Sequence, residues 1–124
     1  MVTVLHICPA ADWERVPAGG EYRTSSLHEV GFVHCADRGT VQLPANRFFP
    51  GRTDLVLLEI DTAGLDVRWE PPVPAEEADG PWFPHVYQAI PAHAVVALHE
   101  FRPDSSGVFL VPEAVAVPSI THSV

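Results

Sequence analysis

The sequence predicts an α+β single domain: a split, curved, mostly antiparallel sheet with two or three short helices. Three observations lead there. Helical patterns cluster in the first half of the chain and strand patterns in the second, which suits α+β rather than an alternating parallel sheet. Gly (8) and Pro (13) are frequent and follow no period, so the elements must be short and joined by turns. Hydrophobic residues make up 47% of the 124 positions, enough for one ordinary core in a chain of single-domain length. The domain is expected over residues 1–112, and the tail, 113–124, is expected to fray.

Each element follows from its residues. Val2 to Cys8 (VTVLHIC) is β-rich and of strand length. Pro9 ends that strand and suits the first turn of a helix, expected over Ala10 to Val16 and closed by Pro17, Ala18, Gly19 and Gly20. A second helix is expected over Ser25 to Val30, with Ser26 and Glu29 at capping-box spacing and Gly31 as a left-handed stop. Phe32 to Ala36 reads as a short strand. Thr40 to Phe49 has helical character, which Pro44 splits or kinks.

Asp54 to Asp61 (DLVLLEID) is the strongest strand, and its near-continuous apolar run predicts burial on both faces. A turn over Thr62 to Leu65 leads into another strand at Val67 to Glu70. Pro71 to Pro81 is rich in Pro and acidic residues and is expected as an exposed loop, either a solvated connection or a lid. Phe83 to Ile90 is short and irregular or extended. Ala94 to Phe101 is a strand, Arg102 to Gly107 a turn, and Val108 to Val111 a closing strand. No internal repeat is visible.

Charge narrows the partners. Sixteen acidic residues face seven basic ones, all arginine, for a net charge of −9. Such a chain repels phosphate backbones and acidic bilayers, so neither nucleic acid nor membrane is expected as a partner. A small anionic substrate stays compatible if a few arginines share one cleft. No apolar run approaches the ~20 residues of a membrane helix. The N-terminus lacks the basic start and apolar stretch of a signal peptide, and two cysteines are too few for a disulfide scaffold. A cytoplasmic location is therefore expected.

The seven histidines carry the functional reading. Period-2 geometry puts His6 on one face of the first strand with Val4 and Cys8, and Leu5 with Ile7 on the other. On the second strand Phe32, His34 and Ala36 share a face. Were these strands neighbours, His6 and His34 would project into one cleft flanked by Cys8, with His85 as a third imidazole. Taken singly, each reads more readily as a hydrogen-bonded structural residue. His6, Cys8, His34 and His85 would supply four zinc ligands, but C-x-x-C and H-E-x-x-H spacings are missing, so no metal is expected. Cys8 and Cys35 read as small core residues before they read as nucleophiles. Arg47, beside Asn46 and the pair Phe48 and Phe49, suits a clamp on phosphate or carboxylate. Tyr87, with Trp82 and Phe83, offers flat aromatic surface near His85.

The ordered set His6-Ile7, Gly31-Phe32-Val33-His34-Cys35, Ala45-Asn46-Arg47-Phe48-Phe49, Asp54-Leu55-Val56-Leu57-Leu58, Val67-Arg68-Trp69-Glu70 and Phe83-Pro84-His85-Val86-Tyr87 resembles a family of small bacterial proteins. This is the domain-of-unknown-function family nine-five-two, whose fold resembles that of ADP-ribosyltransferases and RNA 2′-phosphotransferases. The resemblance implies a split, curved sheet around a cleft. In the related transferases that cleft holds NAD, a strand-one His or Arg contacts the adenosine ribose, aromatics sandwich nicotinamide, and a polar residue, often Glu, stabilises the oxocarbenium-like transition state. By that resemblance His6 would hold ribose hydroxyls, Arg47 the pyrophosphate and Tyr87 an aromatic ring. The chain departs from the family pattern at Ala36 after Cys35, at Gln88 after Tyr87, and at Val30 before Gly31. Nor does the segment Val108 to Val111 offer the transferase's Glu.

Together these readings predict a small-molecule enzyme with catalytic His6, His34 and His85 and ligand contacts from Cys8, Asn46, Arg47, Phe48 and Tyr87. The leading expectation is ADP-ribosyl or glycosyl transfer on a nicotinamide dinucleotide, with NAD as substrate and no certain cofactor. The alternatives are a cofactor-free acid–base cyclase, dehydratase or isomerase, and a non-catalytic ligand-binding module.

Overall fold

The computed structural model describes residues 1–72 and 80–116. Its framework is a three-stranded antiparallel sheet. Leu55–Asp61 (β4) lies at the centre, flanked by Thr3–Pro9 (β1) and Val95–Phe101 (β8). The register Val4↔Ile60, His6↔Leu58 and Cys8↔Val56 sends one set of side chains to one face, and Leu5, Leu55 and Leu57 to the other. Both faces of β1 and β4 are covered, as the apolar run of β4 predicts. On one side Val4, Cys8, Leu58 and Ile60 pack with Tyr22, Val33, Val86 and Ile90. On the other, Leu5, Leu55 and Leu57 pack with Val41, Ala45, Phe101 and Phe109. Each fully buried Leu, Ile or Phe contributes about 1.5–3 kcal/mol, so these two layers hold the domain together.

The smaller strands are all antiparallel too. Glu21–Tyr22 (β2) pairs with Ile90–Pro91 (β7), and Phe83–Val86 (β6) sits between Val33–His34 (β3) and Val67–Glu70 (β5). The split sheet is thus in three pieces. Reciprocal backbone hydrogen bonds between Leu5 and Ala36 (2.8 and 2.7 Å) tie the edge of β1 to the chain just after β3. Among the described residues the three α-helices, Ala10–Glu14 (α1), Ser25–Val30 (α2) and Gln42–Phe48 (α3), fall in the first half, as the α+β reading requires.

Local chemistry sets the ends of these helices. Gly31 stops α2 at φ 88°, a conformation that favours glycine. The N-cap is Thr24, whose Oγ1 accepts from Leu27 N, and not Ser26 as the capping-box spacing predicts; the Ser26 hydroxyl donates to Phe32 O instead. α1 ends at Glu14, short of the predicted Val16. Pro44 causes no kink, because α3 begins only at Gln42 and a first-turn residue has no i−4 carbonyl to meet.

The closing strand expected at Val108 to Val111 does not form. Phe109 is anchored there by a side chain: Asn46 Nδ2 donates to Phe109 O (2.9 Å) and Phe109 N donates to Asn46 Oδ1 (2.7 Å). Packing also continues past the predicted domain end, since Val115 is fully buried and its carbonyl accepts from Arg38 Nη1 at 3.0 Å. The rest of the expected tail, 117–124, and most of the expected acidic loop, 73–79, lie outside the described residues. Among the described residues no helix is long and apolar enough to cross a membrane.

Candidate active site

A half-open cleft of about 860 Å³ lies where β1, β3, β6 and α3 meet. His6, His34, His85, Arg47 and Phe48 all line it. Cys8, Asn46 and Tyr87 do not line it, so three of the predicted ligand contacts stand elsewhere. Cys8 sits in the core layer beneath β1, and burial raises its thiol pKa; burial does the same to Cys35. Neither sulfur is a ready thiolate, and both are free and buried. Pro72, Gly80 and Pro81, the two ends of the acidic loop, stand at the cleft rim. Among the described residues no group of three His, Cys, Asp or Glu could hold a metal ion.

The three imidazoles differ in what they can do. His6 is 7% exposed and has both nitrogens engaged. Its Nδ1 lies 2.6 Å from His34 O, and a carbonyl only accepts, so Nδ1 carries the proton. Its Nε2, 2.9 Å from the Tyr22 hydroxyl, then accepts from Tyr22. Burial depresses the pKa of His6 to about 4, against a smaller raising effect from the hydrogen bond to His34 O. His6 is therefore a neutral strut that fixes the backbone of β3, the strand carrying His34.

His85 is differently placed. It is 2% exposed, its ring stacks on Phe32 (3.9 Å, 15°), and its Nδ1 donates to Glu70 Oε1 at 2.9 Å. Glu70 Oε1 also accepts from the Tyr87 hydroxyl at 2.5 Å, and this bond, then that of His85, lowers its carboxyl pKa. The carboxylate thereby selects the tautomer in which His85 Nε2 is a bare acceptor. Among the described residues Nε2 has no hydrogen-bond partner, and His85 lines the cleft. His34 stands beside it, paired in register across β3 and β6, with ring centroids 5.6 Å apart. Loss of hydration lowers the His34 pKa, and the neighbouring His85 lowers it further.

Sheet geometry explains the constellation. With Arg68 opposite His85 and Glu70 opposite Phe83, the side chains of Arg68, Glu70, Phe83, His85 and His34 all share one face. Glu70, Tyr22 and Phe32 are the contributors that sequence reasoning missed. Glu70 reads as one more acid beside the Pro71–Pro81 loop, and only the β5–β6 register separates it from that loop. Tyr87 is not a cleft aromatic; its hydroxyl steadies Glu70 from behind, with the Arg68 guanidinium 4.1 Å over its ring.

The remaining wall is apolar. α3 presents Leu43, Pro44, Arg47 and Phe48 to the cleft, at the i, i+4 spacing that forms a single stripe. Chemically the cleft combines an oriented acceptor nitrogen, a second neutral imidazole and a greasy wall.

Comparison with solved structures supports the same architecture. The crystal structure of protein CC0527 from Caulobacter crescentus has a TM-score of 0.76 at 26% identity, covering 94% of this chain and 100% of that one. Its solution NMR structure gives 0.75, again at 26% identity, over 95% of this chain and 100% of that one. No curated protein matches the chain. The family model described as "Protein of unknown function (DUF952)" matches residues 7–98, the span that holds His34, Arg47, Glu70 and His85, and the chain belongs to that family.

Proposed function

We propose that this protein is a small-molecule enzyme working by cofactor-free proton transfer, with His85 as general base and Glu70 as its positioning residue. The observation that carries this reading is the pair itself: a carboxylate on Nδ1 and an open Nε2 at a cleft wall. His85 Nε2 takes a proton from the carbon beside a substrate carbonyl. The C–H electron pair becomes the new C=C bond, the C=O π pair moves onto the oxygen, and that oxygen takes the proton back from the His85 imidazolium, which returns to its neutral form. The elementary step is thus an enolisation with no change in composition. His34, held neutral, donates a ring N–H hydrogen bond to that oxygen. Isomerisation, dehydration and cyclisation can all start from this step.

The test is hydrogen exchange in D2O on a panel of enolisable carbonyl compounds, followed by NMR. The protein is expected to speed loss of the C–H signal, and His85→Gln to cut that rate by about 10²–10⁴. Equal rates in both proteins, or no acceleration for any compound, would overturn the reading.

A nicotinamide dinucleotide is the second candidate, favoured by the cleft's size of about 860 Å³. Against transfer from it stands the cleft's carboxylate content: among the described lining residues the single one is Asp12 on α1. Unmoved ring resonances of His34 and His85 at about 10 mM NAD would remove this candidate.

A further inference from the structure

Building on the proton-transfer reading, we propose that Tyr87 is a second positioning residue of the site: its ring occupies Arg68, and its hydroxyl draws the Glu70 carboxylate onto His85 Nδ1. Three features of the paired strands β5 and β6 support this, and none of them requires a substrate.

The first is register. On the face that carries the imidazoles, Arg68 stands directly opposite His85, and Glu70 stands opposite Phe83. The carboxylate is therefore one step out of line with the ring it serves. It also shares its strand face with a guanidinium two residues away, and a guanidinium bonds a carboxylate more strongly than a neutral imidazole does. Arg68 is thus the natural competitor for Glu70.

The second is what occupies that competitor. Arg68 Nε and Nη2 donate to Asp66 Oδ1 and Oδ2 at 3.2 and 3.0 Å, and the guanidinium lies 4.1 Å over the Tyr87 ring. Tyr87 is itself firmly mounted. Its backbone N donates to Asp66 O at 2.8 Å, and its ring centroid is 5.2 Å from that of Phe32, the ring on which His85 stacks. From this mount the hydroxyl reaches Oε1 of Glu70, the same oxygen that receives His85 Nδ1.

The third is that the hydroxyl is redundant as a fastening. The backbone ladder of β5 and β6, continued by Tyr87 N to Asp66 O, already joins the two segments, so a side-chain bond between them adds no new link to the fold. The Glu70 side chain is 35% exposed, with rotamers open to it that point into water. What the hydroxyl adds is direction: it confines the carboxylate to the position from which it selects the His85 tautomer.

The test is Tyr87→Phe, which removes the hydroxyl and keeps the ring against Phe32 and Arg68. Nitrogen-15 spectra of the histidine rings show which nitrogen of the neutral ring carries hydrogen, with no substrate present. In the wild-type protein His85 is expected as the Nδ1–H form alone. In Tyr87→Phe its two nitrogen resonances are expected to draw together as the tautomers mix, with thermal unfolding little changed. On the fastest-exchanging compound of the enolisable panel, Tyr87→Phe is expected to lower kcat about tenfold and to leave KM within about twofold. Added to Glu70→Gln, the same substitution should change the rate by less than about twofold, since Tyr87 acts through that carboxylate. Equal His85 tautomer populations in the two proteins overturn the assignment. So does loss of fold in Tyr87→Phe, or a further loss of about tenfold beside Glu70→Gln. In each of those cases exchange by the wild-type protein leaves the proton-transfer reading standing. Mixed tautomers in Tyr87→Phe, with no exchange catalysed by the wild-type protein, do the reverse: Tyr87 orients the ring and the proton-transfer reading falls.

Discussion

Among the described residues stand two glutamate–histidine pairs of nearly equal length, and their surroundings differ. Glu70 holds His85 at 2.9 Å and Glu59 holds His99 at 2.8 Å. Around Glu59 everything is closed. Oε2 accepts from Arg38 Nη2 (2.8 Å) and from the Thr3 hydroxyl (3.2 Å), and Arg38 reaches on to the carbonyl of Val115. That pair fastens β4, β8 and the segment after Phe109 to one another. Glu70 gathers its partners on Oε1 alone, and His85 keeps a nitrogen open to a cleft. The two pairs thus differ in their surroundings: Glu59 is held on both oxygens inside a network, whereas His85 stands in the wall of a cleft.

The sharpest way to break this comparison is to neutralise each glutamate in turn. Glu70→Gln is expected to lower proton-exchange activity about 10³-fold, because an amide no longer selects the tautomer with a bare Nε2. Thermal unfolding should barely move, since Glu70 is partly exposed. A changed pH–rate profile separates positioning from simple loss of packing. Glu59→Gln should leave exchange untouched. Activity lost equally in both variants would mean that the two pairs are not different in kind.

His6 is the fully closed extreme and extends the comparison to pH. Its pKa is about 4 in the folded protein against 6.5 unfolded, so between those values the unfolded chain binds more protons. Stability therefore rises with pH across that window and is lost as pH falls through it, by about 3 kcal/mol in all. His34, also depressed, adds in the same direction. Urea unfolding at pH 7 and near pH 4.5 measures this, and His6→Asn should flatten the slope while costing stability at pH 7. A slope unchanged in His6→Asn would show that the ring is not buried neutral.

How much of this could be read from residues alone depends on the range of the interaction. β1, β4 and β8 were legible because each is a seven-residue stretch made mostly of apolar or β-branched residues, which settle their own conformation. β2 and β7 were not, because Glu21–Tyr22 and Ile90–Pro91 are too short to carry a pattern and exist through mutual pairing. Strand parity plus one guess about neighbours joined His6 and His34 alone; that His85 and Arg47 line the same cleft depends on pairings distant in sequence. The roles did not follow, because a partner at Nε2 of His6 or its absence at His85 is set by Tyr22 and Glu70, both distant in sequence. Asn46, flanked by Arg47 and the aromatic pair, looks like a ligand contact until Phe109, 63 positions away, takes both its amide groups.

On the closed side, Glu59→Gln is expected to cost about 2 kcal/mol, as Arg38 and His99 lose a shared charge in a partly buried site. Its pKa sits below the usual carboxylate range: burial acts to raise it, but hydrogen bonds from His99 and Thr3 and the charge of Arg38 outweigh that. The clamp therefore loosens as pH falls from the usual carboxylate range through that depressed value. Chemical denaturation at two pH values resolves the two contributions. A cost as large at pH 3 as at pH 7 would show that the side chain's packing, and not its charge, does the holding.

The smallest effect is expected at Asn46, and it tests which side of the comparison that residue belongs to. Asn46→Ala removes two hydrogen bonds to the Phe109 backbone and should cost about 1–2 kcal/mol. Phe109 and Val115 belong to the same core layer, so amide exchange should quicken along 109–115 before it quickens in β1 or β6. Proton-exchange activity should stay the same, because the side chain lies outside the cleft lining. The opposite result, activity lost with stability intact, would return Asn46 to the ligand and move the boundary of the site to the far side of α3.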